Sequence, residues 1–243
     1  DDVILAEEGR YQFGTVDDYQ MWLGEEGYAG EEFMHAMGNN EYYTRPWHLP
    51  EKAHPTNWAT HQMIKTIKRK DPTRPAFFYL SYCYPHPPLV PLRDYLDMYD
   101  RDSIDNPYYG DWSNNEIYPI QGHNKVNLEN NDNTDYKYTL EDIIDARRAF
   151  YAQCTHIDHQ LRLVIGTLRE ENLLDNTIII FKGDHSDMLG NHGMLAKRVF
   201  YQNSANIPLI ISGKPLEEYA NTKDNRLVCL ADIMPTLLDL SDI

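Results

Sequence analysis

The sequence holds only three cysteines, Cys83, Cys154 and Cys229, in 243 residues. Three widely spaced thiols form neither a disulfide framework nor a zinc-binding pattern. Basic residues are scarce too: 22 Lys and Arg stand against 38 Asp and Glu, for a formal charge of −16. So negative a surface repels phosphate backbones, which excludes duplex nucleic acid as the expected partner and favours bound cations. No apolar run approaches the ~20 residues that a membrane-crossing helix needs. A basic-then-apolar export segment is also absent from the first residues, so the sequence predicts no membrane partner. Internal repeats are missing. The opening Asp1-Asp2-Val3 in place of Met reads as a processing boundary.

What is present is a globular composition, 42% hydrophobic and 25% charged, in a chain long enough to bury a core. Residues 1–73 read as a loop- and helix-rich segment, and 74–243 as a sheet core carrying the motifs. In the first part, TNWATHQMIKTIKRK places Trp58, Met63, Ile64 and Ile67 at helical spacing. Thr56 is the expected N-cap, basic residues gather at the C-terminal end, and Asp71-Pro72 stops the helix. AFFYLSY, from Ala76 to Tyr82, is a continuous apolar run that suits a strand buried on both faces.

It ends in CYPHPPLVP, where four prolines in nine residues forbid regular structure. A long Asp-, Asn- and Tyr-rich stretch from Arg93 to Tyr138 follows, and its composition suits the wall of a sugar pocket. Thr139 opens the clearest helix with a capping-box sequence, and apolar residues from Ile143 to Leu168 repeat every three or four positions to about Glu171. TIIIF and IPLIIS read as further strands, and Leu230 to Leu240 as a last helix. Alternating strands and helices predict an α/β sandwich whose largely parallel central sheet is flanked by helices. Ligands of such sheets gather at the carboxyl ends of strands.

Two motifs fall at such ends. Gly183-Asp184-His185-Ser186-Asp187 follows TIIIF, and its Asp184 and His185 can reach one divalent cation. The same pair also suits a turn whose side chains cap the backbone, and both readings stay open. Tyr84-Pro85-His86-Pro87-Pro88 follows AFFYLSY, so rigid backbone presents the His86 ring for proton donation or anion binding, or simply to solvent. Gly190-Asn191-His192-Gly193 then turns tightly before Lys197, which either returns towards the cation or stays solvated. His156 and His159 lie three apart on the long helix, where packing is favoured over a shared metal.

Together these segments resemble the sulfatase family of the alkaline phosphatase superfamily. The likeness is carried by AFFYLSYCYPHPPLVP, by RRAFYAQCTHIDHQLRLVIGTLREENLLDNTIIIF, by GDHSDMLGNHGMLAKRVFYQNSANIPLII and by VCLADIMPTLLDL. The resemblance implies an alkaline-phosphatase-like sandwich and a hydrolase of sulfuric esters with one bound divalent metal ion, usually Ca2+. Its substrate would be a sulfated carbohydrate or an aryl sulfate. By the resemblance, Asp184 and His185 belong to the metal site, His86 contacts the sulfate or leaving-group oxygen, and Lys197 holds the sulfate oxygens. His192 would fix the turn. Ser186 stands where the family usually has Gly, which matters only if that backbone needs a positive φ. The Cys/Ser-x-Pro/Ala-x-Arg motif that yields the family's formylglycine nucleophile does not occur in these residues. The chain is therefore expected to be an incomplete sulfatase catalytic domain, inactive by itself. The alternatives are a phosphonate or phosphate ester hydrolase of the same superfamily, or a sulfatase-like protein that only binds sulfated glycans.

Overall fold

A computed structural model describes residues 17–38, 40–111 and 138–241, so most of the Tyr-rich stretch expected to line a pocket lies outside the described residues. Helix α1 (Asp18–Glu25) starts where the Asp17 carboxylate accepts from the Tyr19 and Gln20 N–H groups at 2.9 and 3.2 Å. It buries Tyr19 and Leu23 in a cluster with Trp47, Trp58, Val90 and Leu92.

Helix α2 (Pro55–Lys68) begins two residues earlier than Thr56 would place its cap. His54 is the N-cap instead: its Nδ1 accepts from the Thr56 N–H at 3.2 Å. Pro55 takes the first helical position, where a missing N–H leaves nothing unpaired. The other His54 nitrogen lies 3.3 Å from the Val90 carbonyl oxygen, and its ring sits 4.9 Å from that of Tyr84. The start of α2 thereby supports the proline-rich segment on both sides of His86. After the short α3 (Arg93–Leu96), the long α4 (Leu140–Glu170) opens with the expected Thr139–Asp142 capping box. Its buried Ala146, Ala149 and Ala152 let Tyr42, Leu89, Leu189 and Leu195 share one core cluster with it.

TIIIF and IPLIIS supply β1 (Ile179–Lys182) and β2 (Leu209–Ser212), which pair antiparallel with Ile180 opposite Ile211. Between them lie the site loops and the short α5 (Gln202–Ala205). The expected last helix is a tight turn at Leu230–Asp232 followed by α6 (Ile233–Leu240). The largely parallel central sheet is not formed among the described residues, whose one named sheet has two strands. AFFYLSY joins no ladder there. Phe78 and Leu80 pack on Met63, Ile67 and Leu168, while Phe77 and Tyr79 stay 72% and 68% exposed. A continuous apolar run implied two covered faces, and the structure covers one. No described helix is long and apolar enough to cross a membrane.

The α2–α4 junction also buries polar groups. His156 is 1% exposed, stacks on Tyr95 at 4.7 Å and meets the His54 ring at 4.8 Å. Burial, with His159 nearby, lowers its pKa from 6.5 to about 4. His54 is pushed in the same direction by burial and by His156. The unfolded chain therefore binds more protons than the folded one between those values, and stability falls as pH drops through that window. Urea midpoints should decrease from about pH 7 to about pH 5, and less steeply in His156→Gln. An identical slope in that variant would assign the acid sensitivity elsewhere.

Candidate functional site

The segment after β1 folds back on itself before it reaches β2. The Met188 N–H donates to the Ala196 carbonyl and the Gly190 N–H to the Met194 carbonyl, both at 2.8 Å. This pairing sets Asp187 and Lys197 side by side at the mouth of the loop. Its tip is docked by the Tyr108–Gly110 strip. The Asn191 side-chain oxygen accepts from the Tyr108 N–H at 2.8 Å, and His192 Nδ1 accepts from the Gly110 N–H at 3.1 Å. His192 also packs its ring on Tyr108 and Tyr201, at 5.2 and 5.0 Å. From below, the buried Arg147 of α4 donates to the Leu189 carbonyl at 2.9 Å and pairs with Asp105.

Lys197 and His86 are brought together from positions 111 residues apart: Nζ lies 2.8 Å from His86 Nε2. The other ring nitrogen of His86 lies 2.6 Å from the Pro87 carbonyl oxygen. A carbonyl can only accept, so Nδ1 carries the proton there and Nε2 accepts from the ammonium. The backbone behind His86 is fixed by the Arg45 and Trp47 N–H groups, which donate to Leu89 and Pro91 at 3.2 and 2.9 Å. The His185 ring approaches His86 edge to face at 6.1 Å. Thus three of the four expected residues, His86, Lys197 and His185, converge, with Asp184 at their edge.

Asp184 is exposed, and its Oδ2 lies 3.8 Å from His185 Nε2. Burial raises the Asp184 carboxyl, but His185, backbone N–H groups and Lys182 outweigh it and leave the pKa lowered. His185 Nδ1 donates to the Ser186 carbonyl at 2.9 Å, which turns Nε2 outward. An ionised carboxylate beside an imidazole whose far nitrogen is already anchored fits half of a divalent-cation site. Among the described residues no third His, Cys, Asp or Glu joins the pair. Ser186 is not among the residues with positive φ, so its replacement of Gly costs no backbone strain.

The sulfatase family model matches residues 5–243. The chain belongs to the sulfatase family. It is 35% identical over 235 residues to an arylsulfatase of Clostridium perfringens, covering 96% of this chain and 48% of that protein. A choline-sulfatase of Rhizobium meliloti is 32% identical over 171 residues, covering 70% and 32% respectively. This sulfatase chain thus spans about half the length, or less, of these curated relatives. The crystal structure of a phosphonate monoester hydrolase of Agrobacterium radiobacter shares the fold, with a TM-score of 0.73 at 24% identity over 91% of this chain and 46% of that one.

Two residues of this candidate site were not singled out from sequence. Asp187 is buried within the electrostatic reach of Lys197 and His86, and its carboxylate accepts from the Tyr42 hydroxyl at 2.5 Å and the Leu189 N–H at 2.9 Å. Burial pushes its pKa up, against the opposing pull of Tyr42, Leu189, Lys197 and His86. Its signal was present in the Asp-His-Ser-Asp run. Tyr42, 145 residues away in an irregular segment, gave none. Tyr42→Phe should cost about 1–3 kcal/mol in denaturant unfolding, because it leaves a buried carboxylate short of a donor.

Gly190 sets the loop's depth. It has φ +85°, and a Cβ there would lie 2.5 Å from Ile143 Cγ2 on α4. Gly190→Ala should therefore destabilise the chain by about 1–3 kcal/mol and loosen the loop. Unchanged unfolding and unchanged amide exchange at Met188 and Gly190 would contradict this.

Proposed function

We propose that this sulfatase chain supplies the anion-holding and leaving-group half of a sulfuric ester hydrolase acting on a sulfated carbohydrate or aryl sulfate. The observation that carries the reading is the Lys197–His86 contact. A compact cation and an imidazole share one hydrogen bond, and the His185 ring, with the ionised Asp184 next to it, packs against that imidazole. When a sulfate oxygen enters, the Lys197 ammonium turns from His86 Nε2 to that oxygen and balances its charge. His86 can then take a second proton from solvent at Nε2, while Nδ1–H stays bonded to the Pro87 carbonyl, and give it to the departing oxygen. Asp187 acts behind both, as a positioning residue that keeps the Lys197 charge matched.

Asp184 and His185 would hold a divalent metal ion, Ca2+ by the resemblance, and such an ion neutralises sulfate oxygens when bound. We assign residues 1–73 and 74–243 to one partial catalytic domain. The largely parallel sheet belongs to the same reading. Phe78, Leu80 and Ile179 pack on one core cluster, which supports the 76–82 segment running beside β1 in the assembled enzyme. Because the 243 residues contain no formylglycine motif, the chain alone should not turn over an aryl sulfate.

In an enzyme containing this chain and a formylglycine segment, His86→Ala and Lys197→Ala should each lower kcat about 10²–10³-fold on an aryl sulfate. Parent-like kinetics in either variant would remove that residue from the site. Faster turnover of a phosphonate monoester than of the sulfate would move the function to the neighbouring hydrolase class. Sulfated-glycan binding without hydrolysis by that assembled enzyme would leave a binding protein.

A further inference from the structure

The C-terminal end of α2 gathers Lys65, Lys68, Arg69, Lys70 and Arg74, five cations within ten residues of a chain whose net charge is −16. Four of them, Lys65, Arg69, Lys70 and Arg74, line a surface cavity of about 310 Å³. One wall is a single helical stripe, Gln62, Lys65, Thr66 and Arg69, at positions i, i+3, i+4 and i+7. The turn that follows adds Lys70, Arg74 and the Asp71 carboxylate to the lining, and Pro75 and Phe78 add apolar surface.

The turn satisfies itself. Lys70 Nζ donates to the Asp71 and Arg74 carbonyls at 2.8 and 2.6 Å, and the Asp71 carboxylate accepts from the Thr73 N–H and hydroxyl at 2.8 and 2.7 Å. Asp71 lies 3.7 Å from the Arg74 Nε. Lys65 and Arg69 gain nothing from this arrangement. They are exposed, lie one helical turn apart and have no ion-pair or side-chain hydrogen-bond partner among the described residues. Two like charges at that spacing repel, and the helix dipole offsets only part of the repulsion.

A cavity of this volume admits a monosaccharide-sized group. Unmatched ammonium and guanidinium groups on one wall suit an oxyanion, and Pro75 with Phe78 suits the flat face of a ring. We propose that this cavity is a binding site for a sugar bearing a sulfate or phosphate ester, held by Lys65 and Arg69. It is separate from the Lys197–His86 site. None of the residues that line it belongs to that site. The assignment does not depend on the hydrolytic reading, because it needs no reaction.

The test is titration of the 243-residue chain with a sulfated disaccharide, its phosphorylated counterpart and the uncharged parent sugar, followed by calorimetry and amide NMR. The sulfated sugar should shift signals of residues 62–78, and binding should weaken as salt rises. Lys65→Gln/Arg69→Gln should lower the affinity read from the shifts of residues 62–78 about tenfold with unchanged far-UV circular dichroism, and those shifts should persist when the Lys197–His86 site is saturated with inorganic sulfate. Arg69→Gln alone should act in the same direction, which keeps the test readable if the double variant loses helix. Equal binding of the phosphorylated sugar would support a general oxyanion-ester site, and sulfate-only binding a narrower one. The proposal is overturned by equal binding of the uncharged sugar, by shifts confined to His86 and Lys197, or by parent-like affinity in the glutamine variants.

Discussion

A carboxylate removed from water has to be held by donors and balanced by charge, and Asp187 meets that requirement through contacts from three parts of the chain. The Tyr42 hydroxyl reaches it from the N-terminal loops, the Leu189 N–H from its own turn, and the positive field of Lys197 from the returning strand of the loop. None of these can move independently once the carboxylate is buried. The position of Lys197, and through it the contact with His86, follows from this constraint.

The helices then supply stiffness rather than chemistry. Arg147 ties α4 to the Leu189 carbonyl, and Ile143 sets how closely Gly190 may approach. On the other side, His54 caps α2 and contacts both Val90 and Tyr84, which bracket His86. The two sides meet where the His54 and His156 rings touch. The ring contact runs through a neutral, buried interface, so the loops bearing the site rest on the same interface that makes the fold acid-sensitive.

Much of this was legible in the sequence where a local rule decides the outcome. The Thr139 capping box, the period of α4 and the strand character of TIIIF depend on neighbours a few residues away. The cap of α2 was displaced because imidazole can accept a backbone N–H as a hydroxyl can, and Pro55 favours the first helical position. AFFYLSY misled for another reason: an unbroken apolar run does not reveal how many of its faces are covered. His86, Lys197, Asp184 and His185 were singled out by motif, whereas Tyr42 depends on a contact across 145 residues that no local pattern encodes.

The one-sided burial of residues 76–82 bears on how the chain behaves in concentrated solution. Phe77 and Tyr79 face solvent on a segment outside any ladder among the described residues. Backbone donors and acceptors next to exposed aromatic rings form a template on which another extended strand can add. Neither a Lys nor a proline interrupts AFFYLSY to discourage such pairing. Colloidal stability of the isolated chain thus falls to the repulsion that its net charge of −16 supplies, which screening salt weakens.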